Sequence, residues 1–529
     1  MKNRRKVLNS KMITVGKTQS SRTEVVKIKT ETGLGATKTL ILFAIFACQI
    51  GLYIFLSLRF ALAFQWVMAV SFVVSVLMCF YVLSSNKNSV SKAVWIIFLL
   101  LFSTFAPAIY LISDEKIVFA RAKKKYKNIY SDPNFLFEKP QVQSQNQVVN
   151  RDIDYLFNAG NFKAYTNTQM QYFESGYDFY EDVLENLSRA QKFIFLEFFI
   201  VSDGRLLDKF CDVISERIKC GVDVRLIFDD MGSHKTFSRK QKKKLKKIGV
   251  KLCPFNKLVP VFYTGFNYRD HRKIIVIDGE IAYTGGVNLA DEYVNEKRMY
   301  GYWKDCGIKL DGPATDTFTL AFLRQWKYLT GEIENFAQFL NIAKPRQNNS
   351  IVVPYADGLD YSKNIGKGVY ENMLSSANKK IFIMTPYFIP DDTILDILMN
   401  KAQSGVEVVI ILPEVPDKAF VYGVTRNTAE KLIDYGVKVY CVKHAFVHNK
   451  VVLTENSVVV GSINMDLRSF YQQFECAVYT DDKSVMCAVY KDFISTIELS
   501  KQITEKNKKR NNVFYRAFCA LMQIFAPFM

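Results

Sequence analysis

Histidine is scarce in these 529 residues: only His234, His271, His444 and His448 occur. No cluster of His, Cys, Asp and Glu has metal-ligand spacing, so a metal centre is not expected. The ten cysteines form no CxxC pair and no tight framework, which excludes a disulfide scaffold and reads as free thiols in a reducing compartment. A cleaved leader is not expected either, because the apolar runs begin far from the start and are too long. Acidic residues are outnumbered, 51 Asp and Glu against 70 Lys and Arg, for a net charge of +19. With 49% hydrophobic residues, that balance favours a partner both apolar and anionic, and nucleic acid and a membrane surface both qualify. At roughly 150 residues per domain, the length predicts about three units.

Charge is almost absent from three long runs, 39–58, 60–83 and 93–113, where only Arg59 separates the first two. Each holds about the 20 apolar residues that a membrane-spanning helix needs, and Pro107 in the third is tolerable within a bilayer. The first 38 residues carry ten Lys or Arg against two Glu, and the segment RAKKKYK from Arg121 is basic as well. Both flanks therefore claim the cytoplasm, which three spans cannot satisfy unless one run is re-entrant or the charge rule fails once. The free thiols place the downstream part on the cytoplasmic side.

Beyond residue 165, strand-length apolar runs alternate with helical stretches, the pattern of α/β layering. The chain also repeats itself. KFIFLEFFIVSDG from Lys192 is echoed by KIFIMTPYFIPDD from Lys380, GVDVRLIFDD from Gly221 by GVEVVIILPE from Gly405, and GVKLCPFNK from Gly249 by GVKVYCVKH from Gly436. Three pairs in order at nearly constant offset indicate one duplicated unit, with KPRQNNS from Lys344 as the join.

HRKIIVIDGEIAYTGGVN from His271 likewise matches HNKVVLTENSVVVGSIN from His448. Residues two apart on a strand face one side, so His271 projects with Lys273 and His448 with Lys450. Packed about a pseudo-twofold axis, the halves would bring two His, two Lys, Asn288 and Asn464 around one cleft. That inventory suits a phosphodiester: ammonium and amide donors hold anionic oxygens, one imidazole attacks phosphorus and the other protonates the leaving oxygen. The lysine pair would take the electrostatic place of a divalent ion. Asp278, seven residues past His271, lies roughly 23 Å away along an extended strand, and Asp278-Gly279 reads as a two-residue hairpin turn. Asp305 and Glu475, at matching places on a later strand of each half, are better placed to orient the imidazoles.

These features resemble the phospholipase D superfamily, marked by a doubled H-x-K-x4-D followed by G-G/S-x-N, and within it the bacterial cardiolipin synthases. FLEFFIVSDG, FDDMGS, NYRDHRKIIVIDG, GGVNLADEY, TPYFIPD and GSINMDLRSF carry the likeness along nearly the whole chain. It implies an α/β fold: two duplicated phospholipase D-like α-β-α halves, 166–343 and 351–500, forming one catalytic unit. Around them it implies a basic segment over 1–38, transmembrane helices over 39–113, a linker over 114–165 and a basic, apolar tail over 501–529. The implied reaction is phosphatidyl transfer between two phosphatidylglycerol molecules, giving cardiolipin and glycerol through a phosphohistidine. By the resemblance His271 is the nucleophile and His448 the general acid and base, and Lys273, Lys450, Asp278 and Glu455 complete the catalytic set. Asn288, Asn464, Asp305, Glu475, Gly285, Gly286, Gly461 and Ser462 bind or orient. No cofactor, metal or nucleic acid is implied; the partners are an anionic phospholipid and the bilayer. The second half departs from the pattern, with Glu455 in the Asp position and a turn to Gly461 one residue shorter than the turn to Gly285.

Three other readings remain open from sequence: a phospholipase D-type hydrolase, in which water resolves the intermediate, a nuclease of the same superfamily, and an inactive membrane scaffold. HKTFSRKQKKKLKK from His234 is either a solvated helix face or a contact with anionic lipid. VFYRAFCALMQIFAPFM from Val513, preceded by KNKKR, is either an interfacial helix or one buried against the catalytic body. His444 has no counterpart and reads as a bystander.

Overall fold

The structure, a computed structural model, describes residues 32–59, 61–85, 87, 89–114, 120–130, 136–139, 142–257, 268–332, 335–358, 364–509 and 512–523. Most of the basic segment 1–38 and the last residues of the apolar tail lie outside them. The chain divides into two compact units, one ending at Val67 and the other beginning at Met68.

The first two apolar runs fall on the helices Thr32–Arg59 and Ala61–Ser84. Ala63–Ser84 is 22 residues, long and apolar enough to cross a membrane, about 33 Å at 1.5 Å per residue. It leaves Trp66, Leu77 and Phe80 exposed. The third run corrects the expectation of a single span over 93–113. It is two helices, Ser89–Leu101 and Ala106–Ser113, parted by a turn. Pro107 causes the break: its ring disfavours a helical residue before it and it has no N–H to donate, so it stands in the first turn of a new helix. The 13-residue piece, roughly 20 Å long, is too short for a 30 Å hydrocarbon core. The pieces pack on each other, with Leu99, Ala106 and Tyr110 buried and the Trp95 and Tyr110 rings edge to face at 4.8 Å.

Strands of the first half are β1 (Gln169–Phe173), β2 (Phe193–Phe198), β3 (Asp223–Asp229), β4 (Lys251–Phe255), β5 (Lys273–Ile277), β6 (Ile281–Gly285), β7 (Tyr302–Lys304) and β8 (Gly307–Asp311). Seven of them form a sheet in the order β1-β8-β6-β5-β2-β3-β4. β2, β3 and β4 run parallel, with crossover helices Arg205–Lys219 and Arg239–Ile248 between them. This explains why FIFLEF and DVRLIFD are continuous buried runs instead of alternating ones. The second half contributes β9 (Val352–Asp357), β10 (Lys380–Met384), β11 (Phe388–Ile389), β12 (Glu407–Pro413), β13 (Lys438–Val442), β14 (Ala445–Val447), β15 (Val451–Thr454), β16 (Val458–Gly461), β17 (Met465–Asp466), β18 (Glu475–Thr480) and β19 (Ser500–Ile503). Its main sheet runs β19-β13-β12-β10-β15-β16-β18-β9. Apart from the added edge strand β19, the order repeats that of the first sheet, so the chain is a duplicated α/β unit.

One core joins the halves. Phe195, Ile274 and Phe322 of the first half and Ile383, Val459 and Cys476 of the second belong to the same buried cluster. The helix Thr315–Thr330 is buried nearly all round within it, from Thr315 to Trp326, which fits its lack of a polar stripe. The stretch expected to be a linker, 114–165, is not extended. It carries the helices Ala120–Tyr130 and Gln147–Gly160, and Asp152 of the latter accepts from the Tyr479 hydroxyl at 2.7 Å. The lysine-rich run forms the helix Arg239–Ile248, with Ser238 accepting from Gln241 N at its start and Leu245 buried beneath. The tail forms the helix Val513–Gln523. Tyr515 donates to Gly423 O at 2.9 Å and Cys519 is buried, while Phe514, Phe518 and Leu521 stay exposed.

Candidate active site

The strands that carry the two cassettes end where the halves meet. The chain before His271 runs beside the chain before Glu475, with Asp270 bridged to Phe474 and His271 N donating to Phe474 O at 2.9 Å. The chain before His448 repeats the arrangement: β14 pairs in parallel with β7, and His448 N donates to Lys304 O at 2.7 Å. Each histidine thereby lies next to the carboxylate of the opposite half. His271 Nδ1 is 2.9 and 3.0 Å from the Glu475 oxygens, and His448 Nδ1 is 2.7 Å from Asp305 Oδ2. Matching positions on a later strand implied a role for these carboxylates, and the structure adds that the pairing crosses between halves. With both Nδ1 atoms engaged, each Nε2 is left for chemistry.

Lys273 Nζ donates to His271 O at 2.5 Å, and Lys450 Nζ donates likewise to His448 O. Asn288 accepts from Ile200 N at 3.0 Å and donates to the Tyr293 hydroxyl at 2.7 Å. Asn464 differs, since its Oδ1 is buried without a hydrogen-bond partner among the described residues. Gly286 must be glycine, because a Cβ there would collide with Asp305 Oδ1. Gly285 and Gly461 likewise admit the backbones of Cys306 and Cys476. Ser462 stands where the first half has Gly286, and its hydroxyl donates to the longer Glu475 side chain.

Aromatic rings close the site. Phe199 lies 5.0 Å from the His271 ring, with Trp303 at 5.3 Å and Tyr293 at 5.5 Å from the His448 ring. Beneath, Arg272 ties the halves together by donating to Asp357 O at 2.9 Å and Glu475 O at 3.3 Å. Nothing in the cassette spacing marked Trp303 or Tyr293; the signals were the aromatic run YGYW ahead of Asp305 for the first and the end of GGVNLADEY for the second.

Burial and the nearby ammoniums set the titration of this cluster. Burial, then Lys273 and Lys450, hold the His271 imidazole well below its ordinary value, and burial followed by Lys450 brings His448 to about 4. Burial also lowers Lys273 to about 8 and Lys450 to about 7, and pushes the Glu475 carboxyl up while the Lys273 ammonium opposes that rise. Both imidazoles are thus uncharged at neutral pH.

Asp278 and Glu455, counted with the catalytic set by resemblance, are not brought to the histidines. Asp278 takes φ 55° and Gly279 φ 71°, the left-handed pair of a type I′ turn. The Asp278 carboxylate accepts from the backbone N–H of Gln191 and Lys192, each at 2.7 Å, and of Phe193 at 2.9 Å. Glu455 does the same in its half for Asn378 at 2.6 Å and Lys380 at 3.2 Å. Both carboxylates pin a hairpin to the start of the first parallel strand, and the longer Glu side chain offsets the shorter turn. Asp278→Ala is expected to cost about 1–3 kcal/mol of stability and Glu455→Ala less, with turnover per folded molecule unchanged. Denaturant midpoints alongside specific activity check this, and a loss of turnover at an undiminished midpoint would contradict it.

The remaining sequence candidates fall elsewhere. His444 takes φ 54° in an exposed turn, and His234 lies on the exposed loop before the lysine-rich helix.

The family model described as "Cardiolipin synthase, PLD-like domain" matches residues 183–299 and 370–497, one stretch in each half. The chain is 33% identical to an uncharacterized protein of Streptococcus mutans over 85% of this chain and 99% of that one. It is 30% identical to cardiolipin synthase 2 of Bacillus anthracis over 84% and 88%. Among solved structures it is similar to a phosphatidylserine synthase of Haemophilus influenzae, with a TM-score of 0.55 and 18% identity over 72% of this chain and 98% of that one, a likeness of fold. Matched in both halves and alike along most of its length, the chain belongs to the cardiolipin synthase family of phospholipase D-like proteins.

Proposed function

We propose that the protein transfers a phosphatidyl group from one phosphatidylglycerol to another, forming cardiolipin and releasing glycerol. The observation that carries this is the pair of imidazoles, each held through Nδ1 by the carboxylate of the opposite half. In the proposed sequence His271 Nε2 attacks the donor phosphorus, the bond to the glycerol oxygen breaks, and His448 protonates that oxygen. His448 then takes the proton from the hydroxyl of the second lipid as that oxygen attacks phosphorus, and the P–N bond breaks. Lys273, Lys450 and the amides of Asn288 and Asn464 hold the non-bridging oxygens while charge shifts. The uncharged His271 suits a nucleophile. His448 acquires its acidic proton when the negative diester adds to the field of Asp305.

Labelled phosphatidylglycerol, given to the purified protein in detergent with a chelator, is expected to yield cardiolipin and glycerol in equal amounts. Phosphatidic acid as the sole product would mean hydrolysis, and labelled DNA degraded in place of lipid would mean a nuclease.

The depressed lysines give a pH prediction. As pH rises past 7 to 8, Lys450 and then Lys273 lose their charge and kcat/KM for the anionic lipid is expected to fall. The limb in kcat should lie higher, because a bound phosphate holds the protons on. Loss of the two lysine charges does not itself unfold the chain: both groups titrate below their ordinary 10.5, so between the two values the unfolded chain binds more of their protons and their contribution to stability rises with pH. A flat kcat/KM from pH 6 to 9 would contradict the assignment.

With the third run folded into two short helices, Ala63–Ser84 is the candidate span among the described residues. The exposed Phe514, Phe518 and Leu521 suit a helix lying at the bilayer surface while its other face packs on the catalytic body.

A further inference from the structure

The proposed reaction brings two anionic phosphodiesters together, and this inference rests on that reading. The donor phosphate meets the paired lysines. The acceptor carries a phosphate of its own, three carbons from the attacking hydroxyl, and no residue of the two cassettes is left to receive it.

We propose that Arg468 receives the phosphate of the acceptor lipid. The chain leaves Asn464 through β17, and Asp466 then caps the short helix Leu467–Tyr471 by accepting from Ser469 N at 2.8 Å, and the Arg468 charge acts on the His271 imidazole. The Gln473 side-chain amide lies between Arg468 and the nucleophile's carboxylate. With its nitrogen turned to Glu475 Oε1 at 3.0 Å, its oxygen accepts from Arg468 Nε at 3.3 Å, the orientation that satisfies both neighbours. The guanidinium therefore stands one amide away from the His271–Glu475 pair.

Arg468 forms no ion pair among the described residues and is half-buried; burial lowers its guanidinium against the pull of Asp466 and Asp229, of which the first caps its helix and the second faces Arg269. The neighbouring arginines are fully buried and committed: Arg269 lies 3.6 Å from Asp229 and donates to Asn256 O at 2.8 Å, and Arg272 bonds the Asp357 and Glu475 carbonyls. The position matching Arg468 in the first half is Glu292, which is buried. The duplicated cleft is thus asymmetric, with a cation that forms no ion pair among the described residues in one half and a buried carboxyl at the equivalent place in the other. A guanidinium suits the task because its planar donors take a phosphate in two parallel hydrogen bonds. It also keeps its charge at a pH where the paired lysines begin to lose theirs.

The test separates the acceptor from the donor. Exchange of labelled free glycerol into phosphatidylglycerol uses the same donor chemistry with an uncharged acceptor, whereas cardiolipin formation needs the charged one. Arg468→Gln is expected to lower the ratio of cardiolipin formed to glycerol exchanged about tenfold, chiefly through a higher KM for phosphatidylglycerol as acceptor, and Arg468→Lys is expected to recover part of it. Equal losses in both reactions would overturn the inference and make Arg468 a donor-site or folding residue, and an unchanged ratio would overturn it as well. A native chain that exchanges glycerol yet makes no cardiolipin would instead defeat the functional reading on which the inference rests.

Discussion

Alanine at His271 or at His448 is expected to stop cardiolipin formation, by about 10⁴-fold or more in kcat. His271 lies in the first half and His448 in the second, each at the head of its apolar strand β5 or β15 with its Nε2 unspent. Neither can substitute for the other, because attack on phosphorus and protonation of the departing glycerol occur at opposite ends of the reacting bond. Residues that act as a unit lose their effects together, so the double variant is expected to be no slower than either single one. Rates for the two single variants and the double variant, on preparations with native unfolding midpoints, check this. Additive losses would mean that the histidines serve separate reactions.

The second large effect comes from the carboxylates. Glu475→Gln and Asp305→Asn should each reduce kcat by about 10² to 10⁴, as loss of the group that orients a catalytic imidazole does. The crossing between halves makes this prediction specific. Glu475 belongs to the second half but serves His271, and Asp305 belongs to the first but serves His448. A phosphatidyl ester of p-nitrophenol needs no acid for its departure, so glycerol-independent release of nitrophenol should be restored in His448→Ala and in Asp305→Asn. It should stay lost in His271→Ala and in Glu475→Gln. Rescue of Glu475→Gln with failure of Asp305→Asn would mean that each carboxylate serves the histidine of its own half, contrary to the geometry.

Much of the site could be read from the chain because its chemistry is written twice. His-x-Lys ahead of an apolar strand faces one way for reasons of strand period alone, and Asn288 and Asn464 follow at a fixed place after the second strand. Asp278 beside Gly279 could be recognised as a turn from its distance to His271, and its three backbone N–H partners show what the turn carboxylate does. Partnership across a pseudo-twofold axis was not legible, because nothing along the chain distinguishes Glu475 facing His271 from Glu475 facing His448. Arg468 was hidden for a similar reason: a cation in a short helix acquires meaning only when the carboxylates around it are seen to be engaged elsewhere. In the membrane region composition alone misled. Residues 93–113 are apolar enough to span, and the fold turns on Pro107, whose effect depends on whether neighbouring groups satisfy the freed backbone.

The central claim is that the two halves build one reaction centre working through a covalent phosphatidyl-histidine. The most direct measurement is to mix His448→Ala with the p-nitrophenyl lipid, labelled in its phosphatidyl part, quench under alkaline conditions that preserve phosphohistidine, and locate the label by mass spectrometry. The prediction is one equivalent of nitrophenol per folded chain with the label on His271. Nitrophenol released without any labelled residue, or label on a side chain other than His271, would contradict it.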